Sequence, residues 1–252
     1  MRIFYDVDTQ KDFMNKKWAL YVPDAELIKP NLEKLTVHAK AYGIAVVGSV
    51  DRHFGTEEYK DREGELQRRG GPFPDHCMAR TIGETKIRET LLYTIKDARV
   101  ADLMMTCRDG DESIYIPHLS ESMDVWGQIE WPCRVDSLML RFQKTEEKGC
   151  RFIPTYFEKQ SYDVSTNPAF GCLLGLIKPK EAVVYGVATD YCVKAAVLGM
   201  QKRGIQCYVV EDAIKGVAPE TTETAIQEMR KAGAKFVKTR DVLEERLGGK
   251  KS

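Results

Sequence analysis

The chain has 252 residues, enough for one domain with a sizeable core or for one domain carrying an insertion. Its 38 Lys and Arg balance its 38 Asp and Glu, and 43% of residues are hydrophobic against 30% charged. That is the profile of a soluble globular protein, without the basic excess that nucleic-acid binding usually requires. No apolar run approaches the roughly 20 residues of a membrane span, and the first residues read as a strand rather than a signal peptide. The expectation is therefore a cytoplasmic protein with neither a membrane nor a nucleic-acid partner. The seven cysteines, at 77, 107, 133, 150, 172, 192 and 207, are odd in number and widely spaced. They read as reduced thiols, and the absence of any Cys-x-x-Cys pair argues against a structural zinc site of that type.

Arg2–Asp8 reads as a buried strand. Ile28, Leu32, Leu35, Ala39 and Tyr42 recur at steps of four and three and draw one apolar stripe, with Pro30 in the first turn of that helix. Ile44–Val50, "IAVVGSV", is short, apolar and β-branched, and marks a second strand. Residues of about 85–150 break the rhythm, holding Trp126, Trp131, Tyr115 and the polar stretch "CRDGDES". They could form a β-rich insertion or a long excursion with its own small core. An apolar-aromatic run, Arg151–Phe157, ends just before Lys159. Ala182–Ala188, "AVVYGVA", is another buried strand, followed by a helix over 191–203 carrying Val193, Ala196, Val197 and Met200 and stopped by Gly204. Gln206–Glu211 is a strand. Pro219 then opens a helix with Ala225, Ile226 and Met229, closed by Gly233, and Ala234–Val237 is a last strand. Near-continuous apolar strands alternating with helices predict an α/β fold with a mainly parallel sheet covered on both faces.

In such sheets ligands bind beyond the carboxyl ends of the strands. Reactive side chains collect there: Asp8 after the first strand, Asp51 and His53 after the second, Lys159 after the run at 151–157, and Cys192 after the strand near 185. A thiol at a helix start can serve as a nucleophile, with the anion favoured and free backbone N–H groups available to an oxyanion. The alternative is a buried structural cysteine, which is the commoner state of a free thiol. Asp51-x-His53 places two ligand side chains on one side of an extended segment, and His76 in "PDHC" could add a third. Imidazole with carboxylate suits Zn, Fe or Mn; the alternative is a polar surface loop. Asp8 could be a general base or a turn cap, and Lys159 an electrostatic partner or a surface lysine.

Taken together, these segments resemble the nicotinamidase/isochorismatase family of cysteine hydrolases. "DTQKDF" at 8–13, "VDRH" at 50–53, "FPDHCMARTIG" at 73–83, "EKQSYDV" at 158–164, "GVATDYCV" at 186–193 and "VVEDAIKG" at 209–216 are similar to family motifs and stand in family order. The resemblance spans most of the chain except about 88–150. It implies a three-layer αβα sandwich, the isochorismatase-like hydrolase fold, as a single domain over 1–252 with an insertion at about 88–150. It also implies a Cys192 nucleophile, Asp8 as acid and base, and Lys159 as third member of a triad. An oxyanion hole from the Ala188 and Cys192 N–H groups and a cis peptide at Val187-Ala188 follow from the same motif. Asp51, His53 and His76 match the family's metal ligands in its nicotinamidase branch, with zinc first and iron or manganese as alternatives, and Phe13 and Phe73 fall where aromatics flank the pyridine ring. The implied reaction is deamidation of nicotinamide and pyrazinamide through a Cys192 thioester, by a homo-oligomer acting on a small-molecule amide. Phe73 stands where tryptophan is common, and "DVSTNPAF" departs from the family pattern after the lysine. Two other readings remain: a hydrolase of a different small amide, and a non-catalytic ligand-binding relative.

Overall fold

Seven strands form one sheet in which every neighbouring pair is parallel: β1 (Arg2–Val7), β2 (Ala45–Asp51), β3 (Ile114–Ile116), β4 (Thr155–Lys159), β5 (Glu181–Val187), β6 (Gln206–Lys215) and β7 (Lys235–Val237), in the order β3-β4-β2-β1-β5-β6-β7. The computed structural model describes residues 1–91, 114–116 and 154–247. Apart from 88–91 and the backbone of β3, the expected insertion at 88–150, with Trp126 and Trp131, lies outside the described residues, as does the Tyr115 side chain.

The sheet is buried on both faces, which is why its strands are apolar without a break. Along β1, Ile3, Tyr5 and Val7 point into one core with Phe170, Val197 and Met229, while Phe4 points into the other with Leu32, Leu35 and Val183. The first core lies under α3 (Pro168–Ile177), α4 (Lys194–Gln201) and α5 (Pro219–Lys231). The second lies under α2 (Lys29–Tyr42) and α6 (Thr239–Leu243). A short α1 (Lys11–Met14) follows β1. This is the expected three-layer αβα arrangement. Among the described residues no helix is long and apolar enough to cross a membrane.

Several boundaries differ from the sequence reading, each for a local reason. The strand expected over 151–157 runs instead over Thr155–Lys159, after Pro154, whose missing N–H cannot join the ladder. Lys159 therefore ends the strand rather than following it. The expected helix over 191–203 starts as α4 at Lys194; residues Thr189–Val193 form a wider turn in which the Val193 N–H donates to the Ala188 carbonyl at 3.1 Å. Helix α3 has no counterpart in the sequence reading. Its run "PAFGCLLGLI" is apolar on nearly every side, so it draws no stripe, although Pro168 at its start and Asn167, whose side chain accepts from the Ala169 N–H, mark its beginning.

The topology sets the site. From β1 the chain winds outward through β2 on one side and from β5 through β6 and β7 on the other, so the strand order reverses between β1 and β5. Open α/β sheets bind ligands beyond the carboxyl ends of the strands at such a switch point. Close approach there requires glycine: a Cβ on Gly186, whose φ is 117°, would collide with the Val7 backbone across the β1–β5 pair.

Candidate active site and metal centre

Asp8 leaves the end of β1 in a left-handed conformation, φ 46°, and is fully buried. The Ser49 hydroxyl donates to its Oδ1 at 2.8 Å, while its Oδ2 lies 2.9 Å from Lys159 Nζ. Lys159 is paired in register with Asp51 across β4 and β2, and its ammonium contacts the Asp51 carboxylate directly. The same ammonium donates to Cys192 Sγ at 3.4 Å. One fully buried cation thus touches two carboxylates and a thiol, brought together by β1, β2, β4 and the turn after β5. The peptide bond between Val187 and Ala188 is cis, as expected from the motif.

Burial dominates the electrostatics. It pushes the Cys192 thiol up, against the pull of Lys159, and Asp8 and Asp51 raise it further. Burial and the two carboxylates thus favour the thiol, while the Lys159 ammonium favours the anion. Burial also raises the Asp8 carboxyl, an effect that Lys159 opposes. For Asp51 burial works in the same direction, but Lys159 and His76 overcome it and hold the carboxyl well below its usual range. Lys159 is held above its usual range because Asp51 and Asp8 outweigh its desolvation.

Asp51 also belongs to a second cluster. Donor atoms of Asp51, His53, Glu65 and His76 lie within 4.8 Å of one another. His53 Nε2 is 3.1 Å from Glu65 Oε1, and His76 Nε2 is 3.5 Å from both Glu65 Oε1 and Asp51 Oδ2. His76 Nδ1 meets the Pro74 carbonyl at 2.7 Å, which turns Nε2 toward the carboxylates. Burial works against a charge on His76, but Asp51 and Glu65 lift its imidazole to about 10. Neither ring nitrogen of the fully buried His53 forms a hydrogen bond. Unpartnered buried imidazole facing two carboxylates and a second imidazole fits a divalent transition metal by donor chemistry. The expected Asp51, His53 and His76 set is brought together. Glu65 is an addition that the sequence reading missed, because "EEYKDREGE" gives no spacing that singles out one carboxylate.

Backbone anchors hold these residues. The Gln10 side chain accepts from the Asp51 N–H and donates to the Asp51 carbonyl, both at 2.7 Å. The Asp12 carboxylate accepts the Cys77 N–H at 2.7 Å, fixing the residue after His76 in a left-handed conformation, φ 45°. Asp190 accepts from the Val217 and Ala218 N–H groups and the Thr221 hydroxyl, tying the turn at 189–193 to the start of α5.

The two clusters open onto one narrow cleft of about 30 Å3. Phe13 and Phe73 line it as expected, together with Ala188 and Cys192. Tyr191 and Tyr162 also line it and were missed; Tyr191 packs edge-on to Phe73 at 5.3 Å, and Tyr162 stands half exposed.

A model of the isochorismatase domain matches residues 151–241. That stretch of the chain, from β4 to α6, is similar to the isochorismatase domain. The chain is also similar to the nicotinamidase of Escherichia coli, 43% identical over 56 residues, and to the nicotinamidase/pyrazinamidase of Mycobacterium tuberculosis, 37% identical over 57 residues. Those matches cover 21% and 23% of this chain and span 26% and 31% of the two relatives. Among solved structures it is similar to the pyrazinamidase of Pyrococcus horikoshii in complex with zinc, at 24% identity and a TM-score of 0.60, covering 94% of this chain and 98% of that one. The nicotinamidase/pyrazinamidase of Bacillus subtilis gives 18% identity and a TM-score of 0.62 over 94% and 99% of the two chains. Identities this low establish a shared fold.

Proposed function

We propose that this chain is a metal-dependent cysteine amidohydrolase that deamidates nicotinamide, and pyrazinamide with it, to the acid and ammonia. The observation that carries the reading is the contact of Asp8 and Cys192 with the Lys159 ammonium, behind a cleft that Cys192 lines together with Asp51, Glu65 and His76 of the metal-ligand cluster. The similarity to nicotinamidases and pyrazinamidases supports the substrate class.

Asp8 Oδ2 accepts the Cys192 thiol proton while Ser49 holds Oδ1, and Lys159 balances the charge that moves onto sulfur. Sγ attacks the amide carbonyl carbon, and the carbonyl electron pair moves to oxygen, where the Ala188 and Cys192 N–H groups receive it. The intermediate collapses as Asp8 returns its proton to the leaving nitrogen, releasing ammonia and leaving a thioester. Water, deprotonated by Asp8, cleaves the thioester, and the thiol recovers its proton. Phe13 and Phe73 sandwich the ring. Asp51, His53, Glu65 and His76 would hold the metal, zinc first and iron or manganese as alternatives, which would supply a Lewis acid for the ring nitrogen.

The cleft is narrow, and half-exposed Tyr162 stands at its rim with its ring edge-on to Tyr191 at 6.3 Å. Tyr162 stands directly before the stretch Asp163–Phe170 that departs from the family pattern, which favours a second reading, hydrolysis of another small amide. We propose a single domain with an insertion at about 88–150 and a homo-oligomeric assembly. Ammonia release by the zinc-loaded protein tests the activity: nicotinamide as substrate supports the first reading, other amides alone the second.

A further inference from the structure

A second buried ion pair stands close behind the site and takes no part in the chemistry above. Asp6, on the face of β1 that carries Phe4, meets Lys86, with Oδ2 2.7 Å from Nζ. The Tyr156 hydroxyl donates to the same oxygen at 3.2 Å, and the ammonium lies 4.2 Å from the centre of the Tyr156 ring. Thr9 closes the network. Its hydroxyl oxygen is 2.9 Å from Asp6 Oδ1, 2.6 Å from Lys86 Nζ and 2.8 Å from Thr90 Oγ1. The side chains of Asp6, Thr9, Lys86, Thr90 and Tyr156 are all buried. A carboxylate accepts and an ammonium donates, so the single Thr9 proton goes to Asp6, and the oxygen receives Lys86 and Thr90. The hydroxyl is fully used, and a fully satisfied buried network holds one geometry.

Thr9 lies between two residues that reach the site. On one side Asp8, in its left-handed conformation, donates its N–H to the Ser49 carbonyl at 3.1 Å and presents its carboxylate to Lys159. On the other, the Gln10 side chain grips the N–H and the carbonyl of Asp51. The turn is closed by the Gln10 N–H donating to the Asp8 carbonyl at 2.7 Å. The segment behind it runs antiparallel, with the Lys11 N–H on the Thr85 carbonyl and the Ile87 N–H on the Thr9 carbonyl, both at 2.9 Å. Asp6 and Lys86 contact each other directly, so their pairing does not need the threonine. The threonine joins that pair to the turn.

We propose that Thr9 is a positioning residue: the buried Asp6–Lys86 pair locks its hydroxyl, and with it the turn that presents Asp8 to Cys192 and Gln10 to Asp51. This rests on the roles of Asp8 and Asp51 proposed above. Thr9→Val keeps the side chain's shape, removes the hydroxyl and leaves Asp6 paired with Lys86. Amide hydrogen exchange in metal-free protein reads the turn. In Thr9→Val the Gln10 and Asp51 N–H groups should exchange about tenfold faster, over and above any change in the β5 and β6 amides, which report global unfolding. Ammonia release reads the consequence: kcat should fall by about 10- to 100-fold with KM within about twofold, since the groups that line the cleft stay and the base is displaced. Thr9→Ser, which restores the hydroxyl, should recover most of both. A role confined to stability would speed exchange evenly across the sheet and leave kcat of the folded variant unchanged. Exchange at Gln10 and Asp51 that follows the rest of the sheet, or an unchanged kcat, would overturn the proposal. Should Thr9→Val fail to fold, Thr90→Val, which removes one of the three partners, decides: faster exchange at Gln10 supports the proposal and unchanged exchange overturns it. A wild type that releases ammonia from no amide would overturn the amidohydrolase reading, and hydrogen exchange would still decide whether Thr9 locks the turn.

Discussion

Replacing Lys159 by methionine keeps most of the side chain's length and removes its charge. The wild-type ammonium is fully buried, 2.9 Å from Asp8 Oδ2, in contact with Asp51 and 3.4 Å from Cys192 Sγ. At about 3 Å and an effective dielectric near 20, one such contact amounts to about 5–6 kcal/mol of Coulomb attraction. Desolvation cancels much of that, and removing one partner from a buried pair leaves a net loss of about 3–5 kcal/mol. Asp8 limits the loss: burial already raises its carboxyl, and without Lys159 it takes up a proton rather than stay charged. Urea unfolding of metal-free wild type and Lys159→Met near neutral pH should give that 3–5 kcal/mol difference. The corresponding fall in melting temperature is about 6–20 °C for a chain of this size. A difference below about 1 kcal/mol, the range of exposed ion pairs, would refute a buried cation between two carboxylates.

In a Cys172→Ser background, which removes an exposed thiol, iodoacetamide should abolish amide hydrolysis in step with modification of Cys192, faster at alkaline pH because burial favours the protonated thiol. Full activity with Cys192 alkylated would contradict this. Glu65→Ala should weaken zinc binding at least tenfold in a chelator competition, and equal affinity would remove Glu65 from the ligand set. Gly48→Ala drives a Cβ into the Asp6 carbonyl and the Tyr156 ring, and should cost about 1–3 kcal/mol in urea unfolding; a neutral effect would count against the β1–β2–β4 packing. Burial lowers the His38 imidazole below its unfolded value, so the unfolded chain binds more protons there as pH falls through that window. Stability from His38 is therefore complete above the unfolded pKa and is lost as pH drops through the folded one. His38→Leu should flatten that part of the stability–pH curve, and an unchanged slope would refute it.

The sheet was legible in the sequence because strands buried on both faces are written as unbroken apolar runs, as in "IAVVGSV" and "AVVYGVA". The site was legible at strand ends: Asp8, Asp51, His53, His76, Lys159 and Cys192 all fall together. Helix α3 was hidden because its residues are apolar on nearly every side. The contact of Lys159 with Asp51 depends on the register of β4 against β2, two strands separated by more than 100 residues, which no local pattern encodes. Glu65 was hidden in a stretch dense with carboxylates, where only the fold selects which of them turn inward. The depth at which Cys192 is buried beside two carboxylates was likewise hidden, because a helix start is visible in a sequence and burial of this kind is not.

Ammonia release from nicotinamide by zinc-loaded wild type and Cys192→Ala, alongside pyrazinamide and aliphatic amides, addresses the central claim most directly. The account predicts steady release from the two ring amides by the wild type and none from the variant. Folded, zinc-loaded protein that releases no ammonia from any ring amide, or a Cys192→Ala variant as active as the wild type, would contradict it.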